Sequence, residues 1–351
     1  MKALDIHDIG IFSSLAEKAL RPVIVTHLKP DGDAFGSSMA MYHFLVKCGK
    51  TDTKVVLNNP YPAPVDFLAD EESVKDIIIC ENSRDEAFRA IRESDLIICL
   101  DCNSFSRTDM LEDVLKESQA PKVLIDHHIG PDTGQFTICF SDIEVSSASE
   151  LLFHILMAMP QIGADASALP LRAAEALMTG MTTDTNNFAN STYPSTLAMA
   201  SALISAGVDR DMILGNLFHR FGENRLRLMG HVLKDLLKIT GDGVAYVILD
   251  RETQLQYHLS EGDTEGFVNL PLSIGKVVMS IMIKEDEGKA RVSIRSKRGI
   301  SANRCAREHF NGGGHENASG GSLFFGKDID SISQAGDYVK EHTHIFMTGE
   351  K

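Results

Sequence analysis

The sequence has no run of about eighteen uninterrupted apolar residues, which a membrane-spanning helix requires. Its opening, M-K-A-L-D-I-H-D-I-G, places two aspartates and a histidine where a signal peptide would be apolar. The expectation is a soluble, intracellular, cytoplasmic protein without a membrane partner. Cysteines are sparse: six, at 48, 80, 99, 102, 139 and 305, without the dense spacing of a disulfide scaffold. Cys99 and Cys102 have C-x-x-C spacing. They lack a second pair at zinc-ribbon spacing and sit at a strand end, so they read as small buried apolar residues. Basic excess is also missing. The net charge is −15, whereas a protein that tracks long nucleic acid carries a basic surface. That balance disfavours long duplex nucleic acid and suits a small diffusible substrate or bound divalent cations. No internal repeat or low-complexity tract is present.

A chain of 351 residues, 43% of them hydrophobic, has room for two domains of about 100–200 residues each. The first two hundred residues alternate short apolar runs with helical patterns, which marks a parallel sheet. Strands are expected at 23–27, 54–58, 76–80, 96–101, 122–126 and 136–140. Helices are expected at 36–48, 147–159, 171–180 and 195–206; the last follows Pro194 and stops at Gly207. A helical period without strands continues through a linker, 208–240. Beyond it the chain is β-rich at 244–249, 277–283, 291–295 and 322–325, with helices at about 303–310 and 331–342 and a loose tail. The fold class is therefore α/β: a parallel-sheet domain over 1–207, the helical linker, and a smaller mixed α/β domain over 241–345.

Polar residues gather at the ends of the first-domain strands. H-L-K-P-D-G-D-A-F-G-S brings His27, Asp31 and Asp33; L-I-I-C-L ends in Asp101; V-L-I-D-H-H ends in Asp126, His127 and His128. Ligands bind at the carboxyl ends of the strands of an open parallel sheet, so these clusters converge on one edge. Asp184, in M-T-T-D-T-N-N, follows an apolar helix and joins them. So many carboxylates repel one another unless cations intervene. Mixed His/Asp ligation suits Mn²⁺, Fe²⁺ or Zn²⁺ better than Ca²⁺, and two such ions would polarise a phosphoryl oxygen and generate hydroxide. Asp142 is expected only to cap a helix, while His43 and His154 read as residues of apolar helices. In N-G-G-G-H-E-N-A-S-G-G, successive glycines let backbone N–H groups converge on an anion, with His315 beside them; the competing reading is a flexible turn.

These stretches, in order, resemble the four motifs of the DHH phosphoesterase superfamily: H-L-K-P-D-G-D, the strand-end Asp101, I-D-H-H and T-T-D-T. N-G-G-G-H-E-N-A-S-G-G resembles the signature of its GGGH-type, DHH-associated C-terminal domain. Length and layout are similar to the nanoRNase/pAp phosphatase branch, which releases 5′ mononucleotides from very short RNAs and dephosphorylates 3′-phosphoadenosine 5′-phosphate. The resemblance implies a hydrolase with two Mn²⁺ ions: His27 and Asp31 on the first, Asp33, His127 and Asp184 on the second, and Asp101 between them. His128 would face the phosphate, and Asp126 would orient an imidazole from behind. The resemblance also assigns Arg295, Ser296, Gly313, Gly314 and His315 to the substrate, with Arg295 suited to bidentate phosphate recognition. A homodimer is compatible with it. Lys29, where the motif usually has Asn, and Asn186, where it usually has Gly, depart from the pattern and bear on substrate preference. Linear or cyclic dinucleotides are the alternative substrates; a single-strand exonuclease or a sensor without catalysis fits less well.

Overall fold

The computed structural model describes residues 4–259, 262–314 and 316–349. They form two compact units that divide between Arg220 and Phe221. Unit one begins with helix α1 (Ile6–Lys18) and strand β1 (Pro22–Val25), then α2 (Gly32–Lys47), β2 (Lys54–Leu57) and β3 (Ile77–Ile79). It continues through α3 (Arg84–Glu93), β4 (Leu96–Leu100), α4 (Glu112–Glu117), β5 (Lys122–Asp126) and β6 (Ile138–Ser141), and closes with α5 (Ala148–Ala158), α6 (Leu171–Asp184), α7 (Pro194–Ser205) and α8 (Arg210–Phe218).

All six strands pair in parallel, in the order β3-β2-β1-β4-β5-β6. Alternation along β1 explains the two layers. Ile24 packs with Phe35, Met39 and Leu45 of α2, while Val23 and Val25 pack with Ile91 and Leu115 on the opposite face. With both faces covered, the strands are apolar throughout. Strand order reverses between β1 and β4, the switch point where open α/β sheets present a crevice at the carboxyl ends of their strands.

Several boundaries differ from expectation for local reasons. Helix α2 begins at Gly32, four residues early, because Asp31 caps it by accepting the N–H groups of Asp33 and Ala34, each at 3.0 Å. Helix α6 runs on to Asp184. Asp142 is not the cap of α5. Ser147 is, accepting from Glu150 N, while Asp142 accepts from Glu144 N in the preceding loop. Cys99 and Cys102 are buried free thiols, as read.

Unit two contains α9 (Glu223–His231), β7 (Lys238–Ile239), β8 (Val244–Leu249), α10 (Arg251–Gln256), β9 (Met279–Asp286) and β10 (Lys289–Ser296). It ends with α11 (Ala302–His309), β11 (Gly313–Gly314), β12 (Ala318–Phe324) and α12 (Ala335–Gly349). Its mixed sheet has the order β11-β12-β10-β9-β8-β7, with only β8 and β9 parallel. The stretch read as a strand-free linker thus includes β7. As far as Gly349 the tail is not loose either: it is the last part of α12, whose buried stripe runs through Val339, Thr343 and Phe346. Among the described residues no helix is long and apolar enough to cross a membrane.

Candidate metal centre

The carboxyl ends of β1, β4 and β5 bring the polar clusters of unit one together. His27 follows β1, Asp101 follows β4 and Asp126 ends β5. Three groups have ligand atoms within 4.8 Å of one another: His27 with Asp31 and Asp101; Asp33 with His127 and Asp184; and Asp101 with His127 and His128. Asp101 belongs to two of them. Its Oδ2 lies 3.4 Å from His27 Nε2, and its Oδ1 lies 3.5 Å from His127 Nε2 and 3.4 Å from His128 Nδ1. His127 Nε2 is also 3.3 Å from Asp184 Oδ2, and His27 Nε2 is 3.9 Å from Asp31 Oδ1.

Local geometry fixes these side chains. The residue after β4 turns sharply: Asp101 adopts φ 53°, a left-handed conformation that Asp tolerates better than most residues. His27 Nδ1 stands 2.8 Å from Leu28 O. A carbonyl only accepts, so Nδ1 holds the proton and Nε2 is directed at the carboxylates. Asp33 is fully buried at the start of α5, accepting from Ala148 N at 2.6 Å and Ser149 N at 3.0 Å. Those N–H groups would otherwise be unpaired in the first turn of that helix. Asp126 is equally buried and accepts from His128 N at 2.9 Å, with His128 Nδ1 2.8 Å from its other oxygen. The imidazole that Asp126 orients is therefore that of His128.

The electrostatics call for a cation. Burial, then the charges of Asp33, Asp31 and Asp126, push the Asp101 carboxyl well above the usual range, against a smaller pull from Arg107. Asp184 keeps 24% of its side-chain surface open, yet crowding by its surroundings, then Asp33, Asp31 and Asp101, raises it in the same direction. Asp33 rises to about 6, chiefly through burial. Asp101 Oδ1 is buried and accepts no hydrogen bond among the described residues. Carboxyls that bind protons this readily, beside imidazole nitrogens aimed at them, make a donor set suited to divalent ions.

The remaining expected residues lie in unit two. Arg295 donates from one guanidinium nitrogen to Ile294 O at 3.0 Å and Ser319 O at 3.4 Å. Ser296 donates to Ile300 O at 2.6 Å and accepts from Asn317 Nδ2 at 3.0 Å. Gly313 and Gly314 pair with Gly320 and Ser319 in an antiparallel hairpin. A Cβ at Gly314 would meet Ala318 O at 2.8 Å, so close backbone approach by itself demands glycine there. His315 lies outside the described residues. Sequence reading missed Arg107, whose charge acts on Asp101; it sits in a 3₁₀ segment, Phe105–Leu111, that carries no periodic signal.

Comparison with known proteins identifies two domains in the chain. The model for the DHH family, N-terminal domain, matches residues 21–181, and that for the DHHA1 domain matches residues 241–340. A Thermus thermophilus protein named bifunctional oligoribonuclease and PAP phosphatase NrnA is 29% identical over 328 residues, 93% of this chain and 90% of that one. The Bacillus subtilis protein of the same name is 27% identical over 324 residues, covering 91% and 95% of the two chains. The crystal structure of an exopolyphosphatase-related protein from Bacteroides fragilis superimposes with a TM-score of 0.91 at 36% identity, over 100% of this chain and 99% of that one. The chain belongs to the DHH phosphoesterase family, as a member that joins an N-terminal DHH domain to a DHHA1 domain.

Proposed function

We propose that the protein is a divalent-metal-dependent phosphoesterase that releases mononucleotides from short oligoribonucleotides and converts pAp to AMP. One observation carries this reading: three His/Asp groups meet at the switch point of a doubly wound sheet, with Asp101 in two of them and His127 joining it to the third. The names borne by the Thermus and Bacillus relatives support the substrate class. His27 and Asp31 would hold one ion, Asp33, His127 and Asp184 a second, and Asp101 would serve both; Mn²⁺ suits this mixed donor set. When bound, such ions supply Lewis acidity toward a phosphoryl oxygen and acidify water.

The chain's own groups then have distinct tasks. Leu28 O holds the His27 ring through Nδ1, which leaves Nε2 as the nitrogen that would hold an ion. Asp126 fixes the His128 ring through Nδ1, which sets that imidazole against the phosphate oxygens that gain charge in the transition state. His128 is a candidate donor to the leaving oxygen. Arg295, Ser296, the Gly313–Gly314 hairpin and His315 are assigned to the nucleotide.

The test is direct. Purified protein with Mn²⁺ is incubated separately with pAp, RNA two- to five-mers, a longer single strand, a cyclic dinucleotide and pyrophosphate, and the products are resolved. AMP from pAp and mononucleotides from the short RNAs support the reading. Turnover of the cyclic dinucleotide alone would move the protein to the dinucleotide class, and turnover of none would refute it.

A further inference from the structure

We propose that Arg210 is a positioning residue of the metal centre: it clamps the left-handed turn that follows Asp184 and so fixes that carboxylate for its ion. This deepens the phosphoesterase reading and rests on it. Asp184 is the last residue of α6, and its carboxylate is held differently from its neighbours. Asp31, Asp33 and Asp126 each accept backbone N–H groups. Among the described residues Asp184 has no such donor; its Oδ2 stands 3.3 Å from His127 Nε2. Where it points therefore depends on how α6 ends.

That end is strained. Asn186 N donates to Thr183 O at 3.1 Å and Asn187 N to Thr182 O at 2.9 Å, the arrangement that closes a helix on one left-handed residue. Asn186, at φ 46°, supplies that residue, yet Asn187 at 57° and Phe188 at 67° continue in the same region. Capping does not require them, and a bulky residue is an outlier there. Such backbone persists only where its surroundings over-determine it. Thr185 does so from within the turn: its Oγ1 accepts from Phe188 N at 3.0 Å and its carbonyl from Asn190 N at 2.9 Å. Arg210 does so from outside. Its Nη2 donates to Asn187 Oδ1 at 2.6 Å, and its guanidinium carbon lies 5.7 Å from the centre of the Phe188 ring, within cation–π range. Arg210 is the first residue of α8, whose Ile213 and Leu217 are buried in the same core as Leu177 and Met181 of α6. The clamp thus runs from a docked helix, through Asn187 and Phe188, to the residue beside Asp184.

The test compares the full chain with Arg210→Ala, Arg210→Lys and Asn187→Gly. Three quantities are measured: the metal-free melting temperature, Mn²⁺ affinity by calorimetry without substrate, and turnover of pAp as Mn²⁺ is raised. Arg210→Ala is expected to weaken Mn²⁺ binding by roughly 10- to 100-fold, the range for groups that orient a metal ligand, with a metal-free melting temperature within about 2 °C of the parent. Arg210→Lys keeps a cation and a donor and recovers part of the affinity. Turnover by Arg210→Ala returns as Mn²⁺ approaches saturation, a response that a merely structural role does not produce. Asn187→Gly removes the acceptor in a residue type that takes the left-handed region without strain. It weakens Mn²⁺ binding likewise, and it decides the matter if Arg210→Ala does not fold. Unchanged Mn²⁺ affinity overturns the proposal, as does a loss that Arg210→Lys shares in full or that a lowered melting temperature accounts for. If the parent binds Mn²⁺ but turns over no phosphoester, the phosphoesterase reading fails while calorimetry still decides the role of Arg210; a parent that binds no Mn²⁺ overturns both.

Discussion

Helices α2 and α6 cross at a pair of glycines, and adding one methyl group to each tests two different links of the account. A Cβ at Gly36 would lie 2.8 Å from Ala176 O and 2.9 Å from Gly180 N, both backbone atoms that cannot swing aside. A Cβ at Gly180 would lie 2.7 Å from Asp33 Oδ1 and closer still to Ser149 Oγ, which are side-chain atoms. Overpacking costs about 1–3 kcal/mol, and more where nothing yields; Gly→Ala in a helix returns about 1 kcal/mol of propensity. For Gly36→Ala the clash wins, with a net loss of about 2 kcal/mol. On a unit of this size that lowers the metal-free melting temperature by roughly 4–8 °C. For Gly180→Ala the side chains move instead, and the carboxylate of Asp33 is displaced from the N–H groups of Ala148 and Ser149. Its melting temperature should fall less than that of Gly36→Ala, and its Mn²⁺ affinity should fall more, by about tenfold or greater. Thermal melts and Mn²⁺ calorimetry on both variants decide the matter. A Gly36→Ala protein melting within 1 °C of the parent, or a Gly180→Ala protein with intact Mn²⁺ affinity, would refute the reasoning.

Two further outcomes follow from named contacts. Glu150 is fully buried and accepts from Ser146 N and Oγ and from Thr196 Oγ1 at 2.5–2.9 Å, with His154 Nε2 at 3.7 Å, an ion-pair distance. Burial alone would raise its pKa; these partners and Ser195 outweigh that and bring it from 4.5 down to about 2. A depressed carboxyl stabilises the fold above its unfolded pKa, and that contribution, roughly 3 kcal/mol, is lost as the pH falls from about 4.5 through 2. Glu150→Gln should therefore be less stable in urea at pH 7, with the gap narrowing toward pH 3; a gap that does not change with pH would contradict the assignment. Asp126→Asn removes the charge that holds the His128 ring and should lower kcat on pAp by about 10- to 100-fold, with Mn²⁺ affinity within threefold of the parent. Steady-state kinetics beside calorimetry measure both, and a collapse of Mn²⁺ affinity would instead make Asp126 part of the ion site.

The sequence revealed most of unit one because its strands are buried on both faces and so read as unbroken apolar runs, as Pro22–Val25 and Leu96–Leu100 do. Strand ends then located His27, Asp101 and Asp126 without knowledge of strand order. The order itself was not legible, since pairing of β1 with β4 joins segments more than seventy residues apart. Boundaries failed where one residue serves two ends: D-G-D looks like a turn, yet Asp31 caps α2 while Asp33 lies inside it and meets the start of α5. The two departures from the family motifs gained a backbone meaning. Lys29 and Asn186 both occupy left-handed positions, at φ 52° and 46°. Asn tolerates that conformation, whereas Lys carries strain of about 1 kcal/mol or more. Spacing could not tell which imidazole Asp126 holds, because that depends on how the loop after β5 folds back.

The central claim is that Asp101 serves two ions at once, and the Asp101→Asn exchange tests it most directly. Its buried carboxyl is strained toward protonation, so the neutral isostere should leave the metal-free melting temperature unchanged or raise it. Hydrolysis of pAp with saturating Mn²⁺ is the measurement. The account predicts that Asp101→Asn loses turnover by about a thousandfold or more in a protein that remains folded. Turnover within tenfold of the parent would contradict it.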